Sequence, residues 1–193
     1  MRNLIITIAL GTLMSMPVMA QKFEKMDKSP MDRAYYPSNA PKRAFIKGGE
    51  DKKAAAEPKI RVAYSRPSKN GREIFGKLLK FGEPWRIGAN ESTEILFLQD
   101  VQFGGTDIKA GRYSLIAIPE ANQWTLKLNT GLDGWGNYGY EPSKDIASIT
   151  APTQKSGETI ENLSIALYEA KPGTVHMKIG WDDTMAEFPI MMK

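Results

Sequence analysis

The stretch Val175-His176-Met177-Lys178-Ile179-Gly180-Trp181 places an apolar residue at every second position. Successive side chains of a β-strand point to opposite faces of a sheet, so this period predicts a strand with one buried and one wet face. The same alternation recurs in three earlier stretches: Ile60, Val62, Tyr64; Trp124, Leu126, Leu128; and Leu163, Ile165, Leu167. The pattern predicts a protein built mainly from β-strands.

Short turn signals separate these strands at Gly104-Gly105, Ala110-Gly111, Pro119 to Asn122 and Pro172-Gly173. Short turns join antiparallel strands. The sequence therefore predicts an all-β fold, an antiparallel β-sandwich or jelly-roll-like barrel of about eight or nine strands.

Some stretches predict where particular strands lie. The runs 95–98 and 115–118 are apolar at every position, which is typical of inner strands covered on both faces. Pro189 lies within the last apolar run and indicates an edge strand, because proline donates no hydrogen bond to a neighbour. The best helix candidate, residues 74–79, is long enough for only one or two turns.

The composition excludes several kinds of chemistry. The 193 residues include no cysteine and a single histidine, His176. Disulfides, thiolate zinc sites, thiol nucleophiles and iron–sulfur clusters are therefore ruled out, and no histidine cluster can hold a transition metal. Dinucleotide-binding and Walker motifs are absent from the sequence as well. We predict no metal and no cofactor.

Residues 1–20 have the pattern of an export signal. Arg2 precedes an apolar run at 4–13, and Val18-Met19-Ala20 has the character of a signal-peptidase site. We predict a signal peptide cleaved after Ala20, no lipoprotein anchor because no cysteine follows, and a periplasmic or secreted protein without a membrane span after cleavage. An uncleaved membrane anchor is the alternative, although the apolar run is short for one.

Charge is distributed unevenly along the chain, whose formal net charge is +4. Residues 21–58 hold nine basic and six acidic side chains around a proline-containing stretch, which predicts a partly ordered N-terminal arm. Residues 59–193, predicted to form a single β-sandwich domain, hold 16 of each sign. A neutral domain in an exported protein makes nucleic acid an unfavoured partner.

The densest polar segment runs from Tyr64-Ser65-Arg66-Pro67 through Gly71-Arg72 to Trp85-Arg86-Ile87-Gly88-Ala89-Asn90-Glu91. This string resembles the bacterial family of the domain of unknown function DUF2911, and the resemblance extends to Ser29-Pro30-Met31-Asp32, Gly104-Gly105, Trp135-Gly136 and Trp181-Asp182. The resemblance implies an extracytoplasmic, mostly β protein of Gram-negative bacteria. It implies no activity.

Polar and aromatic side chains of two segments form a candidate ligand-binding site: Arg66, Arg72, Arg86, Asn90, Glu91, Trp135 and Tyr138. Guanidinium groups bind carboxylates, phosphates or sulfates through paired hydrogen bonds, while amide and carboxylate groups orient sugar hydroxyls. Aromatic faces stack on sugar rings or cap the end of a core. The alternative is structural, with the arginines bound to loop carbonyls and Glu91 paired with Arg86 or Arg72.

Three hypotheses of function remain open. The leading one is a binding or accessory module for a small anionic or glycan ligand. The second is a hydrolase, lyase or isomerase that uses Glu91 as acid or base, with an arginine holding charge on the substrate. Glu94, at an odd separation, is expected on the opposite face of a strand. The third is a structural or assembly protein whose basic arm binds another envelope protein. His176 is expected on the polar face of its strand, which disfavours a Ser-His-Asp triad.

Overall fold

A computed structural model describes residues 23–193, so the predicted signal peptide and its cleavage site lie outside the described residues. The strands of this part are β1 (Met31–Tyr36), β2 (Ile60–Ser65), β3 (Glu94–Phe97), β4 (Val101–Phe103), β5 (Thr106–Ile108), β6 (Gly111–Pro119), β7 (Gln123–Asn129), β8 (Asp145–Lys171) and β9 (Thr174–Met192). The helical elements are α1 (Glu50–Ala55) and 3₁₀ turns at Ala40–Phe45 and Pro142–Lys144. Within residues 23–193, none of these helices has the length and apolar character needed to span a membrane.

The nine strands form one antiparallel sheet in the order β1-β2-β3-β6-β7-β8-β9-β4-β5, and this sheet is not closed. β8 pairs with β7 through residues 145–152 and with β9 through residues 153–171. It therefore carries the chain from one half of the sheet to the other. The buried faces of the two halves contribute to one apolar core. The prediction of an all-β, antiparallel, sandwich-like fold is confirmed.

The alternating apolar positions supply most of that core. All thirteen residues singled out by the period of two are buried: Ile60, Val62, Tyr64, Trp124, Leu126, Leu128, Leu163, Ile165, Leu167, Val175, Met177, Ile179 and Trp181. In the continuous runs, Leu115, Ile116 and Ala117 are buried as predicted. Leu96 and Ile118 are only half-buried, and the prediction is wrong for Leu98, which follows the end of β3 and is 49% exposed.

Pro189 does not mark an edge strand, because β9 lies between β8 and β4. The pairing of β9 with β8 ends at Ala186, and its pairing with β4 begins at Ile190. Pro189 lies between these two paired segments, where the absence of an N–H group interrupts neither ladder. Residues 74–79, the best helix candidate, form turns instead, with Leu79 N–H donating to Ile74 O over 2.8 Å.

The segment predicted as an N-terminal arm contributes one of the two edge strands of the sheet. β1 pairs with β2 along its whole length, from Met31 opposite Ser65 to Tyr36 opposite Ile60. The following 3₁₀ turn and α1 are mostly exposed, and the side chain of Phe45 is 84% exposed.

The turn between β4 and β5 requires glycine. Gly104 and Gly105 have φ angles of +59° and +83°, as expected for a two-residue hairpin turn that favours glycine at both positions. A Cβ atom at Gly104 would lie 1.9 Å from the carbonyl oxygen of Ser148 in β8, whereas a Cβ at Gly105 would meet nothing within 4 Å. The hairpin therefore rests directly on the backbone of β8.

We expect Gly104→Ala to lower the melting temperature much more than its control, Gly105→Ala. Both substitutions cost roughly 1 kcal/mol for a left-handed backbone. Only Gly104→Ala adds an overlap with main-chain atoms, for a total of about 3 kcal/mol and a loss of roughly 6–12 °C. Circular dichroism melts measure both variants, and equal losses would contradict the close approach to β8.

Candidate functional site

Arg66 is fully engaged in holding strands together. Its Nε donates to Leu163 O over 3.1 Å, its Nη1 to the Asp32 carboxylate over 3.0 Å, and its Nη2 to Ser164 Oγ over 2.9 Å. These bonds tie β1 to β8 beside the end of β2. Because each of its nitrogens has an acceptor, Arg66 offers a ligand little, and its geometry is that of a structural residue.

Arg72 and Arg86 line one cavity of about 320 Å³. The other lining residues are Ser29, Pro67, Leu78, Leu79, Trp85, Gly88, Ala89 and Trp181. This volume lies near the lower end of the range of small-molecule sites. The lining holds no carboxylate, so the charged groups of this cavity, which we call the arginine cavity, are all cationic.

Arg86 makes no hydrogen bond to any residue that the structure describes. Its Nε is buried without an acceptor, and the same is true of Nε1 of the neighbouring Trp85. The Arg86 side chain passes close to Gly136, where a Cβ atom would lie 2.9 Å from Arg86 Cδ. Most buried donors in proteins have a partner, so two unpartnered donors on adjacent residues of one cavity are unusual.

Arg72 is exposed and is held by its own turn. Its Nε donates to Lys69 O over 2.7 Å and its Nη2 to Ser68 O over 2.5 Å. The third nitrogen, Nη1, makes no hydrogen bond to residues 23–193. The guanidinium group is therefore fixed by backbone carbonyls and keeps one donor nitrogen free for a ligand.

The backbone around Arg86 adopts an uncommon conformation. Ile87 is fully buried and has a φ angle of +56°, which is rare for a β-branched residue. On the N-terminal side of Arg86, reciprocal main-chain hydrogen bonds of 2.8 and 2.9 Å join Trp85 to Ala117. On its C-terminal side, Thr93 Oγ1 donates a hydrogen bond to Ile87 O over 2.8 Å. These contacts fix the direction in which Arg86 leaves the chain.

Glu91 and Trp135 line a different cavity, of about 370 Å³. The other lining residues are Met31, Ala63, Ser92, Glu94, Asp133 and Gly134, and we call this space the Trp135 cavity. The expectation that Glu91 pairs with Arg86 or Arg72 is wrong: in the described part of the chain Glu91 makes no ion pair or hydrogen bond. None of the candidate arginines Arg66, Arg72 and Arg86 lines this cavity with Glu91.

The expectation that Glu94 lies on the face opposite Glu91 is also wrong, since both residues line the Trp135 cavity. Glu91 precedes β3 and lies on a bend, where the period of a strand does not apply. Arg112 holds Glu94 at 3.4 Å and Asp133 at 2.7 Å, so two of the three carboxylates of this cavity already have a counter-ion.

The remaining candidate residues stand apart from both cavities. Asn90 has a φ angle of +59° and lines neither cavity, although its carbonyl oxygen lies close to Gly136. Tyr138 lines neither cavity and is 87% exposed, and Trp135 is 61% exposed. Such exposure contradicts the alternative in which these aromatic residues cap the core.

The loop that carries Trp135 is tied down near Trp135. Ser92 N–H donates to Gly134 O over 2.9 Å, and Ser92 Oγ donates to Gly136 O over 2.6 Å. Asn137 Nδ2 donates to Pro84 O over 2.9 Å. The exposed indole of Trp135 is therefore displayed from an ordered backbone.

A charged cluster at Asp145 holds the far end of the same loop. The Asp145 carboxylate accepts hydrogen bonds from Tyr140 Oη at 2.7 Å, Asn129 Nδ2 at 2.8 Å and Lys127 Nζ at 2.9 Å. Burial raises the pKa of Asp145, but the hydrogen bonds from Asn129, Lys127 and Tyr140 outweigh it. The pKa of this carboxyl group therefore lies below its ordinary value.

His176 lies on the outer face of β9, as expected, but it is not simply solvated. Its Nδ1 lies 3.1 Å from the Glu187 carboxylate, which also accepts a hydrogen bond from the Tyr168 hydroxyl. In residues 23–193 no serine hydroxyl bonds to His176, so the elements of a Ser-His-Asp triad are not assembled there.

Several residues of the arginine cavity escaped the sequence analysis. Trp85 is adjacent to Arg86 in the sequence, and this adjacency is the feature from which its place in the cavity could have been predicted. The strand period predicts that Trp181 belongs to the core, which its 2% exposure confirms, but Trp181 also lines the cavity. Because β9 follows the motif by about ninety residues, only the tertiary fold brings the two together.

Comparison with known proteins gives one match. Residues 49–190 match a family described as protein of unknown function (DUF2911). No curated protein and no solved structure matches the chain.

We expect Arg66→Ala to lower the melting temperature more than Arg86→Ala. The first removes three hydrogen bonds, one of them to a carboxylate, worth about 2 kcal/mol or roughly 4–8 °C. The second removes no protein hydrogen bond and costs only packing, including that near Gly136. Thermal melts of the two purified variants provide the comparison. A larger loss for Arg86→Ala would assign Arg86 to the fold instead.

We expect the stabilisation from Asp145 to disappear in acid. Its folded pKa is lowered, so the ionised group stabilises the fold at neutral pH, and this contribution is lost as the pH falls through the folded pKa. The difference in unfolding free energy between the wild type and Asp145→Asn should be constant above about pH 5 and should shrink below about pH 4. Urea unfolding at several pH values measures it. A difference that does not change with pH would exclude this role.

Proposed function

The chain belongs to the DUF2911 family of proteins of unknown function, and we propose that it is a binding module for a small organic anion. The ligand occupies the arginine cavity and presents a carboxylate, phosphate or sulfate group to Arg72 and Arg86. The apolar part of the ligand lies against Leu78 and Leu79, over the buried rings of Trp85 and Trp181. Of the two ligand classes expected from the sequence, an anion or a glycan, the proposal therefore takes the anion.

The single observation that carries the proposal is the unpartnered state of Arg86. Its Nε and the Nε1 of Trp85 are buried N–H donors without an acceptor in the part of the chain that the structure describes. Leaving a buried donor unpaired costs about 1–3 kcal/mol, and more for a charged group. These two nitrogens have almost no surface open to the cavity, but the Arg86 side chain lines it, and none of its guanidinium nitrogens has a protein acceptor among residues 23–193. An anion supplies the missing counter-charge, whereas a cation finds none among the lining residues.

The apolar lining supports an organic anion over a bare inorganic ion. Trp85 and Trp181 stack with their ring centroids 6.2 Å apart and their planes 18° from parallel. Leu78 and Leu79 add aliphatic surface to the same cavity. Ligand sites commonly combine such apolar walls with a few oriented polar groups.

The backbone beside Arg86 also supports a functional role. A buried isoleucine at φ +56° is an uncommon conformation that the fold maintains through its hydrogen bonds. Conformations of this kind concentrate at binding and catalytic sites, where they position a side chain before the ligand arrives. Here the conformation lies one residue from Arg86.

The cellular compartment is part of the proposal. The predicted signal peptide of residues 1–20, with cleavage after Ala20, would deliver the protein to the periplasm or the cell exterior. The ligand is then an anion that is encountered outside the cytoplasm.

We expect organic anions to raise the melting temperature of the protein and Arg86→Ala to abolish that shift. The probes are benzoate, phenyl phosphate, phenyl sulfate and inorganic phosphate, each compared with methyl benzoate as a neutral analogue. A ligand at a hundred times its dissociation constant contributes about 2.7 kcal/mol, or roughly 5–10 °C for a protein of this size. Differential scanning fluorimetry provides the screen, and calorimetry confirms binding by the best probe.

Two further variants make the assignment specific. Arg86→Lys keeps the charge but loses the paired donors, so it should weaken binding at least tenfold. Lys77→Ala removes an exposed cation that does not line the cavity and should leave binding unchanged. Binding that survives in an Arg72→Ala, Arg86→Ala double variant would refute the proposed site, as would the absence of any shift with all of the anions.

A further inference from the structure

The Trp135 cavity has the character of a separate binding site. It shares no lining residue with the arginine cavity, and its charged lining residues are all acidic. We propose that the Trp135 cavity binds an alkylammonium group, the chemistry of a lysine side chain or of a free primary amine. This inference does not rest on the anion site, and either one can fail alone.

Charge is the first reason for a cation. Glu91, Glu94 and Asp133 bring three carboxylates to the cavity. Arg112 bonds to both Glu94 and Asp133 and partly compensates their charges. Glu91 has no counter-ion among residues 23–193. A concave surface with uncompensated charge of one sign attracts ligands of the other.

The exposed indole of Trp135 is the second reason. Trp135 is 61% exposed, and the hydrogen bonds of Ser92 to Gly134 and Gly136 hold the loop that displays it. Tryptophan is the side chain whose ring face attracts ammonium groups most strongly. An indole beside a free carboxylate can therefore receive an ammonium group from two directions.

The remaining walls suit the alkyl stem of such a ligand. Met31 and Ala63 line the cavity, and the side chain of Met31 is 54% exposed. Long amine side chains commonly place their methylene groups on apolar surface while the charged end meets polar groups. A neutral sugar would also stack on Trp135, but it would leave Glu91 without a counter-charge.

The fluorescence of Trp135 can be used to measure ligand binding in the Trp135 cavity. The chain has four tryptophans, and the other three are at most 4% exposed. Quenching of tryptophan fluorescence by acrylamide therefore arises mainly from Trp135. We would titrate the protein with N-acetyl-lysine methylamide and with trilysine, and measure the loss of quenching as the indole is covered.

Two matched probes and three variants test the chemistry. N-acetyl-norleucine methylamide keeps the alkyl stem without the charge, and maltotriose tests a neutral sugar. We expect saturable protection by both lysine probes, at least tenfold weaker protection by norleucine, and weaker binding at high salt. Glu91→Gln should weaken binding of the lysine probes about tenfold. Trp135→Phe should also weaken their binding, which is measured by calorimetry because this variant lacks the reporting indole. Glu158 is an exposed carboxylate outside the cavity, so Glu158→Gln should change neither the fluorescence protection nor the binding measured by calorimetry.

The comparison of the two lysine probes identifies the source of the amine. Much tighter binding of trilysine supports a lysine of a partner polypeptide, and equal binding supports a small amine. Equal binding of norleucine and lysine would overturn the proposal, and so would unchanged binding in Glu91→Gln. Protection by maltotriose alone would replace it with a glycan site. Glu91 makes no bond within residues 23–193, so loss of folding is not expected to obscure the result.

Discussion

The change of partner along β8 is the constraint on which the rest of the structure depends. A single strand of 27 residues pairs first with β7 and then with β9, so the hydrogen-bonded ladder continues while the sheet passes from one half to the other. Both halves then bury their apolar faces in the same core. The turn at Gly104 reinforces this arrangement, because it rests on the β8 backbone where a side chain would not fit.

An aromatic cluster connects this core to the polar segment before β3. Trp85 and Trp124 meet edge to face with ring centroids 5.8 Å apart, and Phe75 lies 4.7 Å from Trp124. The Lys69–Asp182 ion pair, 2.5 Å long and mostly buried, ties the same segment to β9. The long connection from β2 to β3 is therefore anchored on the core, which allows it to hold Arg72 and Arg86 in fixed positions.

Two cavities of opposite charge result from one short stretch of sequence. Arg86 and Glu91 are close in the chain, yet the first lines a cavity with only cationic charges and the second a cavity with only acidic ones. The positive φ angles of Ile87 and Asn90 lie between them and redirect the backbone. The two opposite charges therefore lie in separate cavities and form no ion pair with each other.

The sequence by itself determined the strand class, the antiparallel turns and most of the core, because a period of two and glycine-containing turns depend on neighbouring residues alone. It also located the polar segment that carries both cavities. Only the tertiary structure decided that Arg66 joins strands, that Arg86 has no protein partner and that Glu91 faces Trp135. Those outcomes depend on Leu163 of β8, on Trp181 of β9 and on Gly136 in the loop before β8, which lie far along the chain and meet the motif only in the folded sheet.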